Sequence, residues 1–148
     1  MMVLDVNVVV AAHRQDHPAF AEVRPWFDHL VAGDDRFGVP APVWASFVRI
    51  TTNRRIFDVP TSLDDAFAFL RAVRGQPHHV EVVPGTRHLG LFERLCRDGE
   101  AAGDLAADAY LAAIAMESGG ELVSLDRDFA RFPGLRWRRP GLAPGEGD

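Results

Sequence analysis

Residues 104–126 read Asp104-Leu105-Ala106-Ala107-Asp108-Ala109-Tyr110-Leu111-Ala112-Ala113-Ile114-Ala115-Met116-Glu117-Ser118-Gly119-Gly120-Glu121-Leu122-Val123-Ser124-Leu125-Asp126. The first part is an Ala-rich run of strong helix formers, with two acids in its opening turns where the helix dipole favours them. Gly119-Gly120 stops that helix. Leu122 to Leu125 is then a short apolar run of strand length that ends on an acid. A helix, a glycine stop, a buried strand and an acid at the strand's carboxyl end together form the repeating unit of a parallel sheet.

The same pattern recurs outward from this stretch. Met2 to Val6 reads as a buried strand, with Asn7 capping a helix through His13. Pro18 sits in the first turn of a second helix with apolar residues Phe20, Val23, Phe27, Leu30 and Val31, closed by Gly33. Phe37-Gly38-Val39 is a short strand, and Pro42 opens a third helix. Ser62 caps a fourth, which Gly75 and Pro77 end. Val80-Glu81-Val82-Val83 reads as a further strand, Thr86 to Arg97 as a helix, Asp126 to Phe132 as a helical turn or two, and Leu135 to Arg138 as a last strand. This alternation predicts an α/β fold: a short parallel β-sheet flanked by helices on both faces. Residues 1–139 form one domain, and 140–148, rich in Gly and Pro, form a flexible tail.

The chain has 148 residues, which suits one core that buries roughly 70% of the unfolded surface. It is acidic, with 16 basic against 21 acidic residues and a formal charge of -5. All the basic residues are Arg. The absence of Lys excludes a phosphate-gripping P-loop and a Schiff-base enzyme, and it disfavours a receiver-type phosphoacceptor domain. A single Cys, Cys96, excludes a disulfide framework and a Cys-based zinc site; it reads as a buried structural thiol. The apolar opening is interrupted by Asp5 and lacks a basic region, so it is not a signal peptide, and no stretch spans a bilayer. These features predict a cytoplasmic protein.

In open parallel sheets, function collects at the carboxyl ends of the strands. Asp5 ends the first strand, Asp126 and Asp128 follow the Leu122 to Leu125 strand, and Asp104 and Asp108 share a face of the helix before it. Each has an ordinary explanation as a cap or a dipole partner. Together they would repel one another at one sheet edge unless a cation sat among them. An oxygen-only set suits Mg²⁺, with Mn²⁺ as a substitute. Such a site points to phosphodiester hydrolysis by metal-activated water.

Three motifs then resemble one family. Leu4-Asp5-Val6-Asn7-Val8-Val9-Val10 is similar to the opening motif of PIN-domain ribonucleases. Asp104 to Ala115 is similar to their "DAxLAAxA" helix. Leu122 to Phe129, followed by Phe132-Pro133-Gly134-Leu135, is similar to their "TxDxDF…PGL" close. Order, spacing and length resemble the VapC toxins of bacterial toxin–antitoxin pairs. The resemblance implies a magnesium-dependent endoribonuclease, a homodimer, inhibited by a VapB-type antitoxin and cutting loops of tRNA or rRNA to leave a 5′-phosphate and a 3′-hydroxyl. It implies that Asp5, Asp108 and Asp126 are the catalytic and metal-holding acids. Asn7 would orient Asp5, with Asp104 and Asp128 as auxiliaries.

The chain departs from the family on its third helix, where many members carry a Glu. Pro42 to Ile50 holds no acid, and Ser46 is left as the available hydroxyl. Val6 also stands where Thr or Ser is frequent. Arg49, Arg54 and Arg55, together with Arg127 and the other four Arg of 127–139, could line a track for an RNA backbone. Two rivals stand beside the nuclease: a degenerate PIN domain that binds RNA or a partner protein without cutting, and a small phosphatase or phosphotransfer domain on a similar sheet.

Overall fold

The computed structural model describes residues 1–141. Its chain order is β1 (Met2–Leu4), α1 (Val6–His13), α2 (Phe20–Ala32), β2 (Phe37–Gly38), α3 (Ala41–Thr51), α4 (Leu63–Arg74), α5 (His88–Asp98), α6 (Leu105–Glu117), β3 (Glu121–Val123), a 3-10 turn (Arg127–Arg131) and β4 (Trp137–Arg138). The strands run parallel in the order β2-β1-β3-β4. Val3, Leu4, Leu122 and Val123 are all fully buried. Successive strand residues point to opposite faces, so both faces of the sheet are covered, as expected for a parallel sheet. No described helix is long and apolar enough to cross a membrane.

The register places the site. Leu4 of β1 pairs with Val123 of β3, so Asp5 and Ser124, the next residue of each chain segment, emerge side by side. The Asp5 amide donates to the Val123 carbonyl at 3.0 Å, one bond beyond the ladder. The long crossover through α3, α4, α5 and α6 then brings α6 back onto β3.

Five sequence expectations change. Asp5, not Asn7, caps α1: it is extended (φ -81°, ψ 161°) and its side chain accepts from the Val6 amide. The strand stops two residues earlier than read, so Asn7 lies in the helix and its side-chain amide is free to bridge to the turn after β3. Pro18 lies in the turn before α2, whose cap is Ala19. Residues 80–83 are not a strand. Val80 donates to the Phe37 carbonyl at 2.8 Å and an isolated bridge joins Phe37 to His79, but no ladder follows. A Cβ built on Gly38 would collide with Val82 Cγ2 and the Val80 carbonyl, so the segment crosses close over β2 instead of lying flat beside it. Cys96 is only half-buried. Pro140, placed in the tail by sequence, is buried at a turn with Gly141; the remainder of that expectation, residues 142–148, lies outside the described residues.

Candidate active site

Asp5 is 7% exposed and held on both oxygens. Its Oδ1 accepts from the Val6 amide at 2.7 Å. Its Oδ2 accepts from Asn7 Nδ2 at 3.1 Å and from Ser124 Oγ at 2.7 Å. Counting lone pairs, Oδ2 is filled and Oδ1 keeps one pair free. Ser124, fully buried, also accepts from Asn7 Nδ2 at 3.0 Å and from the Asp126 amide at 3.0 Å. Asn7 Oδ1 accepts the Leu125 amide at 3.0 Å. The result is a closed network that ties the end of β1, the start of α1 and the turn after β3 into one rigid corner.

Asp126 follows this corner and caps the 3-10 turn, its Oδ1 accepting the Asp128 amide at 2.9 Å. Asp108, in the first turn of α6, faces the same region. Asp5 and Asp108 line one cleft with Ser46, Pro42 and Val43 of α3 and with Tyr110, Leu111 and Ile114 of α6. The cleft has a volume of about 130 Å³. It therefore has room for a few water molecules or a hydrated cation.

The electrostatics record the crowding. Burial raises the Asp5 carboxyl above its ordinary range, against its hydrogen bonds from Ser124, Val6 and Asn7, and Asp126 adds to the rise. Burial and then the charges of Asp5, Asp126 and Asp128 push Asp108 up to about 6, with Arg131 pulling the other way. These acids destabilise one another's charged forms, which is the condition a cation relieves.

The structure thus brings Asp5, Asp108 and Ser46 to one cleft and sets Asp126 at its neighbouring corner, with Asn7 bracing Asp5. Asp128 is exposed and acts on Asp108 through its charge. Asp104 is the exposed cap of α6, without a side-chain cap bond. Among the described residues, no three His, Cys, Asp or Glu side chains are grouped to hold a metal by themselves. The donors fit a hard cation that keeps several of its own waters, not a stripped one. Arg49 on α3, Arg54 and Arg55 in the loop after it and Arg127 after Asp126 are all exposed, and none makes an ion pair among the described residues.

The sequence assigns no role to Ser124 or Tyr110, and it places Arg131 only on the candidate RNA track. Ser124 was visible only as a motif letter; a small hydroxyl between a buried strand and an acid was its signal. Arg131 opposes the acids from the 3-10 turn, with Nη1 on the Gly99 carbonyl at 3.2 Å. Tyr110 lines the cleft while its ring packs edge-on against buried His88, 4.3 Å between centroids.

Comparison with known proteins identifies the family. The PIN domain family matches residues 2–135. The chain belongs to the PIN-domain family. Among its relatives, Ribonuclease VapC25 of Mycobacterium tuberculosis is 59% identical over 142 residues, 96% of this chain and 100% of that one. Ribonuclease VapC31 of the same species is 57% identical over the same shares. The fold is also that of VapBC2 from Rickettsia felis bound to a DNA fragment from their promoter, with a TM-score of 0.66 at 14% identity over 93% of this chain and 97% of that one. Mycobacterium tuberculosis VapC20, described as a Sarcin-Ricin loop cleaving toxin, matches with a TM-score of 0.63 at 16% identity over 92% and 99%. The resemblance drawn from three sequence motifs is therefore borne out over nearly the whole chain: this PIN domain stands among the VapC ribonucleases.

Proposed function

We propose that this PIN-domain ribonuclease is a divalent-cation-dependent endoribonuclease toxin. The observation that carries the reading is the rigid corner of Asp5, Asn7 and Ser124, with Asp126 beside it and Asp108 facing it across a small cleft. Asp5 and Asp108 would hold the cation, and Asp126 would complete the charge. Mg²⁺, or Mn²⁺ in its place, would supply an activated water and charge stabilisation at the phosphate. The chain's own residues do the rest. Ser124 and Asn7 fix the Asp5 carboxylate so that it need not reorganise. Val43, Leu111 and Ile114 wall the cleft with apolar surface, which strengthens the electrostatics inside it. Arg49, Arg54, Arg55 and Arg127 offer charge to an RNA backbone.

The substrate class in this proposal is structured RNA such as tRNA or rRNA, presented as an unpaired loop. A VapB-type antitoxin, a homodimeric state and a cytoplasmic setting complete the proposal; the first is supported by the names and complexes of the relatives. Incubation of bacterial total RNA with the purified chain should yield new 5′-monophosphate ends with Mg²⁺ or Mn²⁺ and none with EDTA. Cleavage that survives EDTA contradicts the proposal.

A second reading has its own observation. The third helix carries no acid and no three-ligand metal group is preformed among the described residues. A domain that binds RNA without cutting it would give affinity but no new ends in the same experiment.

A further inference from the structure

The loop between α3 and α4 carries two of the proposed RNA-binding arginines. Its ends meet where the Thr61 amide donates to the Thr51 carbonyl at 2.8 Å, so residues 52–60 close on themselves as a compact surface loop. Inside it, Asn53 holds a turn: its side chain accepts the Arg55 amide at 2.9 Å and its carbonyl accepts the Ile56 and Phe57 amides at 3.0 Å each. Arg54 and Arg55 project from that turn and are exposed. Ile56 and Phe57 line a shallow groove with Val6 and Asn7 of α1, so the loop abuts the helix that begins at Asp5.

The anchor comes from the other end of α1. Arg14, its C-cap residue, lies with its side chain only 12% exposed. Its Nη1 donates to Thr61 Oγ1 at 3.2 Å, and its guanidinium carbon stands 4.1 Å from the centroid of the Phe57 ring. Asp16 grips the same guanidinium with two bonds, Nε to Oδ1 at 2.8 Å and Nη2 to Oδ2 at 2.6 Å. His13 Nε2 lies 3.1 Å from Thr61 Oγ1, and its ring is wedged against Phe47 and Phe69 at 5.4 and 4.7 Å. Thr61 has one proton and can accept another, so donating to a neutral His13 while accepting from Arg14 satisfies all three groups. A planar, bidentate cation that also stacks on an aromatic ring is a rigid clamp that Lys cannot reproduce.

We infer that Arg14 is a positioning residue for RNA binding: clamped by Asp16, it pins Thr61 and Phe57 and so holds the Arg54–Arg55 turn against α1 beside the acidic cleft. This rests on the reading of Arg54 and Arg55 as phosphate contacts. Pre-ordering a loop removes the entropy cost of fixing it on binding, so the effect belongs in affinity and not in the chemical step.

The test measures binding of a fluorescein-labelled hairpin RNA with an unpaired loop, in EDTA, across a salt series. The variants are Arg14→Ala, Thr61→Val, the double Arg54→Ala/Arg55→Ala and the double combined with Arg14→Ala. Thr61→Val changes no charge and keeps the Arg14–Asp16 pair, so it reports on the clamp even if Arg14→Ala fails to fold. The arginine double should weaken binding and flatten the salt slope by roughly one to two units, about one per phosphate contact. Thr61→Val and Arg14→Ala should each weaken binding about fivefold, and Arg14→Ala should add nothing to the double, since a residue that acts through others is not additive with them. Full affinity in Thr61→Val with a weakened double overturns the clamp alone. Full affinity in the double overturns both the clamp and the reading of Arg54 and Arg55. Loss in the combined variant well beyond the double shows Arg14 acting by itself and also overturns the clamp.

Discussion

The hydroxyl of Ser124 has one proton to donate, and it goes to Asp5 at 2.7 Å while Asn7 and the Asp126 amide donate back to the same oxygen. Removing it in Ser124→Ala leaves Asp5 short of a donor and two N–H groups short of an acceptor in a buried corner. That should destabilise the fold by about 1–3 kcal/mol in urea denaturation. RNA cleavage should fall further than stability explains, and Ser124→Thr should restore much of it. Equal cleavage by Ser124→Ala and the parent would remove Ser124 from the site. Asp108 makes a second residue-scale prediction. Its folded-state pKa lies near 6, above its ordinary value of 3.8. Between those values the folded state binds more protons than the unfolded one, so this group's contribution to stability falls as pH rises through that window. His13, His17 and His79, all lowered by burial, act in the opposite sense. The difference between Asp108→Asn and the parent isolates Asp108. The metal-free Asn variant should melt higher than the parent at pH 7, with the gap closing towards pH 4. A gap independent of pH would contradict the raised pKa.

At the scale of elements, the helices with clear signals were legible. Ser62 caps α4 by accepting the Asp65 amide at 3.1 Å, and Gly33 and Gly75 end α2 and α4 where their positions suggested. β1, β3 and β4 were legible as apolar runs, though each is shorter than read, because the structure ends strands where ladder partners end. Residues 80–83 were misread for a reason sequence does not display: their partner, β2, is two residues long and Gly38 admits Val82 across it. Gly38→Ala tests this crossing. The new methyl would meet Val82 and the Val80 carbonyl, an overpacking cost of about 1–3 kcal/mol by denaturation; an unchanged midpoint would contradict the close crossing. The acids of the site were legible because each sits at a strand end or a helix start. Asn7's bridge to β3 was not, because it depends on the β1–β3 register, which pairs residues some 120 positions apart (Met2 with Glu121).

For the whole molecule, a net charge of -5 does not prevent an RNA-binding role, because local charge matters more to a phosphate backbone than the sum. Carboxylates crowd the carboxyl edge of the sheet, and Arg49, Arg54, Arg55 and Arg127 are exposed. A cation that binds the folded chain only should raise its melting temperature in proportion to the logarithm of its concentration above Kd. Added Mg²⁺ should therefore stabilise the parent at pH 7 and leave Asp5→Ala/Asp108→Ala unmoved, as read by thermal melting. The most direct measurement is the mapping of new 5′-monophosphate ends in total RNA treated with the parent, Asp5→Ala and Asp108→Ala in Mg²⁺. The account predicts a discrete set of ends with the parent and their loss in both variants while each stays folded. The same ends at undiminished yield from either folded variant would contradict it.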